Sequence, residues 1–279
     1  MSAIAIVAHL TIHEARRRKI VTFALGGGLA FLTIFAAAVF FADAELRRSQ
    51  TSFLQRQATL TLLAVAGLYA TNFLTVLLAV LLPVDTLSGE IDSGVMQTLA
   101  SKPIRRADIV IGKWLGHGVI VAAYLGLLSG GVLVAGRLMA GHVQVNVSRA
   151  LGLMLLEVTL LMTVSIAGGT RLSTVANGIV ALGFYGLAFI GGWVEQIGGL
   201  AGIQSARTIG IAVSLVSPPD ALWRMAMYHM QPAVVRDLVD VPPVFASASV
   251  PNGLMVWWAA GFLVVTLVFA VRSFERRAL

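Results

Sequence analysis

The chain has 279 residues, of which 58% are hydrophobic and only 12% charged, with a mean hydropathy of +0.88. Soluble domains carry about 25% charge, so composition excludes both an ordinary soluble enzyme and a disordered chain. Net charge is +7 and cysteine is absent, which excludes disulfides, thiolate metal sites and cysteine nucleophiles.

At the N-terminus, Ser2, His9, His13 and Arg16 share an arc on a 3.6-residue period, while Ile4, Val7, Ala8, Ile12 and Ala15 point elsewhere. This predicts a helix lying on the membrane, its basic end Arg16-Arg17-Arg18-Lys19 toward anionic headgroups. His9 and His13 have i, i+4 metal-pair spacing, but no third ligand is nearby, so they are read as surface residues. The basic cluster follows the first apolar residues and no small-residue cleavage site follows Phe41, so the first span is expected to be retained rather than removed as a signal peptide.

A bilayer core needs about 20 apolar residues in helix. Six stretches qualify: residues 20–41, 58–82, 114–136, 150–169, 174–194 and 253–271, read together as a single transmembrane domain over 1–279. Glu157 is the charged residue that falls inside them, as the cost of charge in hydrocarbon demands. With both termini on one side, that side receives twelve of the 20 Lys and Arg in fewer residues than the opposite side, so both termini are expected in the cytoplasm. A basic pI of about 10.5 is thereby read as a topology signal, not as nucleic-acid binding.

Two connections are too long for simple links, the inner 83–113 and the outer 195–252. The inner one opens with Asp85, Glu90 and Asp92. A short run with Val95, Met96 and Leu99 at helical spacing follows, and Lys102-Pro103 stops it. Arg105, Arg106 and Asp108 then lead into the third span. A short apolar-faced helix held beneath the membrane suits docking into a partner's groove; a solvated loop with interfacial turns fits the same residues.

The run Gly89-Glu90-Ile91-Asp92-Ser93-Gly94, with Leu99, Lys102-Pro103-Ile104 and Ile111-Gly112-Lys113, resembles the loop between the second and third spans of type 2 ABC transporter permeases. The class associated with copper-site maturation of nitrous oxide reductase is similar. "TRLSTVANG" at 170–178 and "SPPDALWR" at 217–224 extend the likeness along the chain. The resemblance implies an all-α polytopic fold with six transmembrane helices, an N-terminal interfacial helix, a cytoplasmic coupling helix and an outer loop with short helices. It implies a multi-pass cell-membrane protein that pairs with a second permease copy, as homodimer or related heterodimer. Each copy would seat a nucleotide-binding ATPase subunit, and ATP and Mg would be used by that partner. By the same resemblance Ile91, Val95, Met96 and Leu99 form the coupling helix, with Glu90, Asp92, Lys102, Arg105 and Arg106 flanking the contact.

The residues themselves support the need for a partner. No G-x-x-x-x-G-K-S/T loop is present, and Gly112-Lys113 runs into Trp114 at the mouth of a span. "LSGGV" at 128–132 lies mid-span, where small residues serve helix packing. The chain is therefore read as a transport subunit without its own ATPase, catalytic residue, metal or cofactor. Glu157 is expected to face the bundle, with Thr71, Asn72 or Tyr124 as partners, as a hydrogen-bonded structural group or as a proton or substrate contact.

In the outer segment, Ser217-Pro218-Pro219-Asp220 predicts a helix start. Trp223, Arg224 and Tyr228 predict a helix at headgroup level. Met225, Met227, His229 and Met230 have the chemistry of a Cu(I) site, but helical spacing spreads them over several faces. The function expected is the permease subunit of an ATP-driven exporter. A secondary transporter is the alternative, disfavoured by one intramembrane acid and no internal repeat; a non-transporting scaffold driven by an ATPase uses the same coupling segment.

Overall fold

The computed structural model describes residues 2–89, 105–232 and 249–277. Among them are nine helices: α1 (Ala3–Ala15), α2 (Lys19–Arg48), α3 (Phe53–Leu81), α4 (Arg106–Ala140), α5 (Val147–Gly169), α6 (Thr174–Leu200), α7 (Gln204–Val216), α8 (Pro219–Met230) and α9 (Leu254–Glu275). Six of these, α2 to α6 and α9, are long and apolar enough to cross a membrane. They contain the six predicted stretches almost entirely but outrun most of them. The 35 residues of α4 rise about 52 Å against a hydrocarbon core of about 30 Å, so the helix continues into the headgroup layers. There the backbone still gains by bonding to itself.

α3 and α5 form the centre, and α2, α6 and α9 are the least buried spans. Leu68 and Val76 of α3, Leu128 of α4, and Met154 and Leu161 of α5 are fully buried together. Lipid tails are as apolar as these side chains, so the gain is close packing and dispersion rather than release of water.

α1 is the N-terminal helix expected, with one face packed on the bundle. His9, His13 and Arg16 do face outward, but Val7, Thr11 and Ala15 are buried against α4. Gly112 and Gly116, one turn apart on α4, make the approach possible. A Cβ on Gly112 would sit 2.9 Å from the Ile4 carbonyl, and one on Gly116 2.9 Å from the Ala8 carbonyl. Ser2 caps α1 by accepting from the Ala5 N–H at 3.4 Å. α1 is thus a packed element of the bundle at the terminal side.

The outer segment folds inward. α7 doubles back along α6, with Gly191 against Val213 and Gly210 against the Glu195 backbone, where added Cβ atoms would collide. Its end reaches Ser217, whose hydroxyl donates to the Phe184 carbonyl at 2.7 Å. Phe184 lies about 24 Å down α6 from Leu200, so the α7–α8 corner is level with the middle of a span. Irregular backbone is tolerated at that depth only inside protein, and Ser217 is fully buried. α8 climbs out again until Gln144 donates to the Met230 carbonyl at 2.6 Å and Asn146 to that of His229 at 3.0 Å. The headgroup-level helix expected from Trp223 and Arg224 is therefore corrected: both side chains are buried in a re-entrant hairpin, Arg224 with polar partners inside the protein and Trp223 against the Tyr69 ring.

Candidate functional site

The chain leaving α3 is tied down before it reaches the predicted coupling residues. Asp85 accepts a short hydrogen bond from Arg18, which also donates to Glu14 at 2.6 Å. Burial opposes the Arg18 charge, but the two carboxylates outweigh it and hold its pKa above the ordinary arginine value. Thr86 hydrogen-bonds His117 of α4 at 3.0 Å, and Ser88 bonds Thr174 of α6 at 2.9 Å. Asn177 of α6 donates to the Val84 carbonyl at 3.0 Å and the Ser165 carbonyl of α5 at 2.8 Å. Thr86, Leu87 and Ser88 are fully buried. The α1–α2 junction, α4 and α6 thus converge on residues 84–88, and Asn177 ties α5 to the same point.

The far end of the segment has its own tie. Arg105 is the exposed N-cap of α4. Arg106 turns away and donates to the Glu275 carbonyl at 3.1 Å and the Arg277 carbonyl at 2.6 Å, just past α9. Glu90, Ile91, Asp92, Val95, Met96, Leu99 and Lys102 lie outside the described residues. The two flanks of residues 90–104 are therefore tied, at 84–88 to the α1–α2 junction, α4 and α6, and at Arg106 to the end of α9.

Next to it, the α5–α6 turn joins α9. Thr170 donates to Ser273 at 2.9 Å and Arg171 to the same hydroxyl oxygen at 2.7 Å. Arg277 donates to the Thr170 carbonyl at 2.6 Å. The residues singled out in "TRLSTVANG" are thus those that bind α6 to residues 84–88 and the α5–α6 turn to α9.

Glu157 is fully buried and faces the bundle as expected. Of its three candidate partners, Asn72 supplies the contact, donating to Oε1 at 3.0 Å. Tyr124 donates instead to the Ala24 carbonyl of α2 at 2.8 Å. Among the described residues Oε2 of Glu157, Oδ1 of Asn72 and the Thr71 hydroxyl lack a partner. A proton on Oε2 lets the acid and the amide form two complementary bonds, whereas an ionised carboxylate leaves two acceptors facing each other.

Sequence reasoning missed the network inside the outer hairpin. Arg224 donates to Glu195 of α6 at 2.8 Å, to Asp220 at 2.9 Å, and at 3.2 Å to both the Ser214 hydroxyl and the Ser249 carbonyl. Ser249 donates to the other Glu195 oxygen at 2.6 Å. All are buried. The i, i+4 spacing of Asp220 and Arg224 was the available signal; Glu195 was hidden because it stands at the end of a predicted span. Met225, Met227 and Met230 are buried around this helix, with His229 beside Tyr228 at its outer end. The described residues hold no group of three or more His, Asp or Glu suited to a metal ion.

Comparison with known proteins matches residues 6–279 to the family described as ABC-2 family transporter protein. The chain is similar to the probable ABC transporter permease protein NosY of Stutzerimonas stutzeri, 37% identical over 73 residues, which is 26% of this chain and 25% of that protein. It is also similar to the protein of that name from Pseudomonas aeruginosa, 41% identical over 51 residues, 18% of each chain. These alignments span about a quarter or less of either relative's length.

Proposed function

Because the chain belongs to the ABC-2 family of transporter proteins, we propose that it is the membrane-spanning permease subunit of an ATP-driven exporter. A separate nucleotide-binding subunit docks on residues 90–104 from the cytoplasm, and a second permease copy completes the complex. Both termini lie on the cytoplasmic side, where basic residues are concentrated. The observation that carries the reading is the double anchoring of the coupling segment, at Val84–Ser88 and at Arg106.

In this mechanism ATP-driven closure of the paired cassettes displaces residues 90–104. Helix backbones are stiff along their axes, so the displacement passes through Asp85–Arg18 to α1 and through Thr86–His117 to α4. Ser88–Thr174 takes it to α6, and Arg106 takes it to the end of α9. Cassette closure then favours one arrangement of the spans over another, by no more than its differential contact with the two.

The absence of native cysteine makes the test direct. Single cysteines at Met96 and Leu99 should cross-link to a co-expressed cassette ATPase, and Met96→Asp or Leu99→Asp should uncouple assembly and ATP turnover. Unchanged assembly and turnover in both aspartate variants would overturn the docking assignment. Nucleotide-dependent movement of cargo in reconstituted vesicles separates export from mechanical transduction, and insensitivity of that movement to a collapsed proton gradient separates it from secondary transport. Impermeant thiol labelling in cells at Arg17→Cys and at Ser49→Cys reads the orientation, with the second expected to react.

A further inference from the structure

One face of α9 changes character along its length. Val265, Val268 and Phe269 are exposed and apolar, and Arg272 and Arg276 continue the same helical stripe. From Val264 to Arg276 the helix rises about 18 Å, enough to cover one leaflet's half of the hydrocarbon and reach its headgroups. Arg171, arriving from the α5–α6 turn, closes the polar end, and together these residues line a groove of about 470 Å³.

The polar end is built rather than incidental. Ser273, buried, accepts from Arg171 at 2.7 Å and from Thr170 at 2.9 Å. Arg277 donates to the Thr170 carbonyl, and Arg106 secures the carbonyls of Glu275 and Arg277. The Arg171 guanidinium is therefore oriented before any ligand arrives, which lowers the ordering cost of binding. Glu275 is exposed at this end but does not line the groove. Among the described residues, the rim of the groove thus presents three arginines and no acid.

We propose that this groove binds one anionic diacyl phospholipid of the leaflet on the side of the chain termini. The arginines would hold the phosphate by forked, charge-assisted hydrogen bonds, and the valines and Phe269 would take an acyl chain. Charge complementarity selects an anionic over a zwitterionic headgroup. The apolar floor selects a lipid over a soluble anion, and its depth in hydrocarbon keeps it out of reach of a soluble protein.

The test is native mass spectrometry of the full chain released from mixed micelles of phosphatidylglycerol and phosphatidylcholine in equal amounts. Phosphatidylglycerol should be retained preferentially. Arg276→Gln, a change on the exposed last turn that leaves the core intact, should cut that preference about fivefold. Arg171→Gln with Arg272→Gln and Arg276→Gln should abolish it. Ser273→Ala should weaken it with every arginine present, because Arg171 loses its orienting bond. Millimolar inorganic phosphate should not displace the lipid. Equal retention of the two lipids, an unchanged preference in Arg276→Gln, or displacement by inorganic phosphate would overturn the proposal. So would loss of a co-purifying ATPase from the arginine variants with the lipid preference intact, which would assign the arginines to a protein contact.

Discussion

The two ends of the bundle are held by different chemistry. In the outer hairpin a buried Arg224 lies between Glu195 and Asp220, with serine hydroxyls and a carbonyl completing the shell. At the terminal side, residues 84–88 and Arg106 are held by separate bonds: Thr86 to His117 of α4, Ser88 to Thr174 and Val84 to Asn177, both of α6, and Arg106 to the end of α9. A buried charge cluster is costly to open, since any one group leaving strands the others. Each separate bond is worth only about 0.5–1.5 kcal/mol by itself. On the proposed mechanism the outer hairpin is the fixed end and the terminal side the end that shifts.

Four substitutions break or sharpen this contrast. The largest effect is expected of Arg224→Met, which leaves two carboxylates buried together and should cost about 3–5 kcal/mol, read as a lower melting temperature in detergent. Adding Glu195→Gln and Asp220→Asn should return much of that loss; if it does not, the network is not the lock described. Glu157→Ala is next, at about 1–3 kcal/mol, because the Asn72 amide loses its partner in hydrocarbon. Glu157→Gln keeps an acceptor for Asn72 Nδ2 and offers a donor to Oδ1, so its melting should match the parent.

At residues 84–88, Ser88→Ala should cost about 0.5–1.5 kcal/mol, yet lower the stimulation of a partner's ATP turnover out of proportion to its stability. An equal loss of stability and stimulation would mean that the Ser88 bond is merely structural. The smallest effect is expected for Arg18→Gln, about 0.2–1 kcal/mol because Asp85 is 46% exposed. That loss should shrink further at high salt.

The spans were legible because hydrocarbon imposes one simple rule, and a run such as 150–169 with a single acid satisfies it without reference to neighbours. The inward direction of Glu157 followed from the same rule. Arg224 was misplaced because a Trp-Arg-Tyr stretch reads alike at a headgroup surface and beside a buried acid. Its surroundings depend on Glu195, twenty-nine residues away. α1 was half legible: the arc of His9, His13 and Arg16 is local, but the burial of Val7 and Thr11 needs two glycines on α4.

By itself the sequence determined the number of spans, the segregation of charge and the family likeness carried by 83–116, all of which are properties of contiguous residues. The tertiary structure decided which polar groups meet. It turned the outer segment into a re-entrant hairpin, chose Asn72 over Tyr124 for Glu157, and brought Arg171 over the α9 groove. The physical reason is that a polar group in hydrocarbon must find a partner, and which partner is in reach is set by packing between helices distant in the chain.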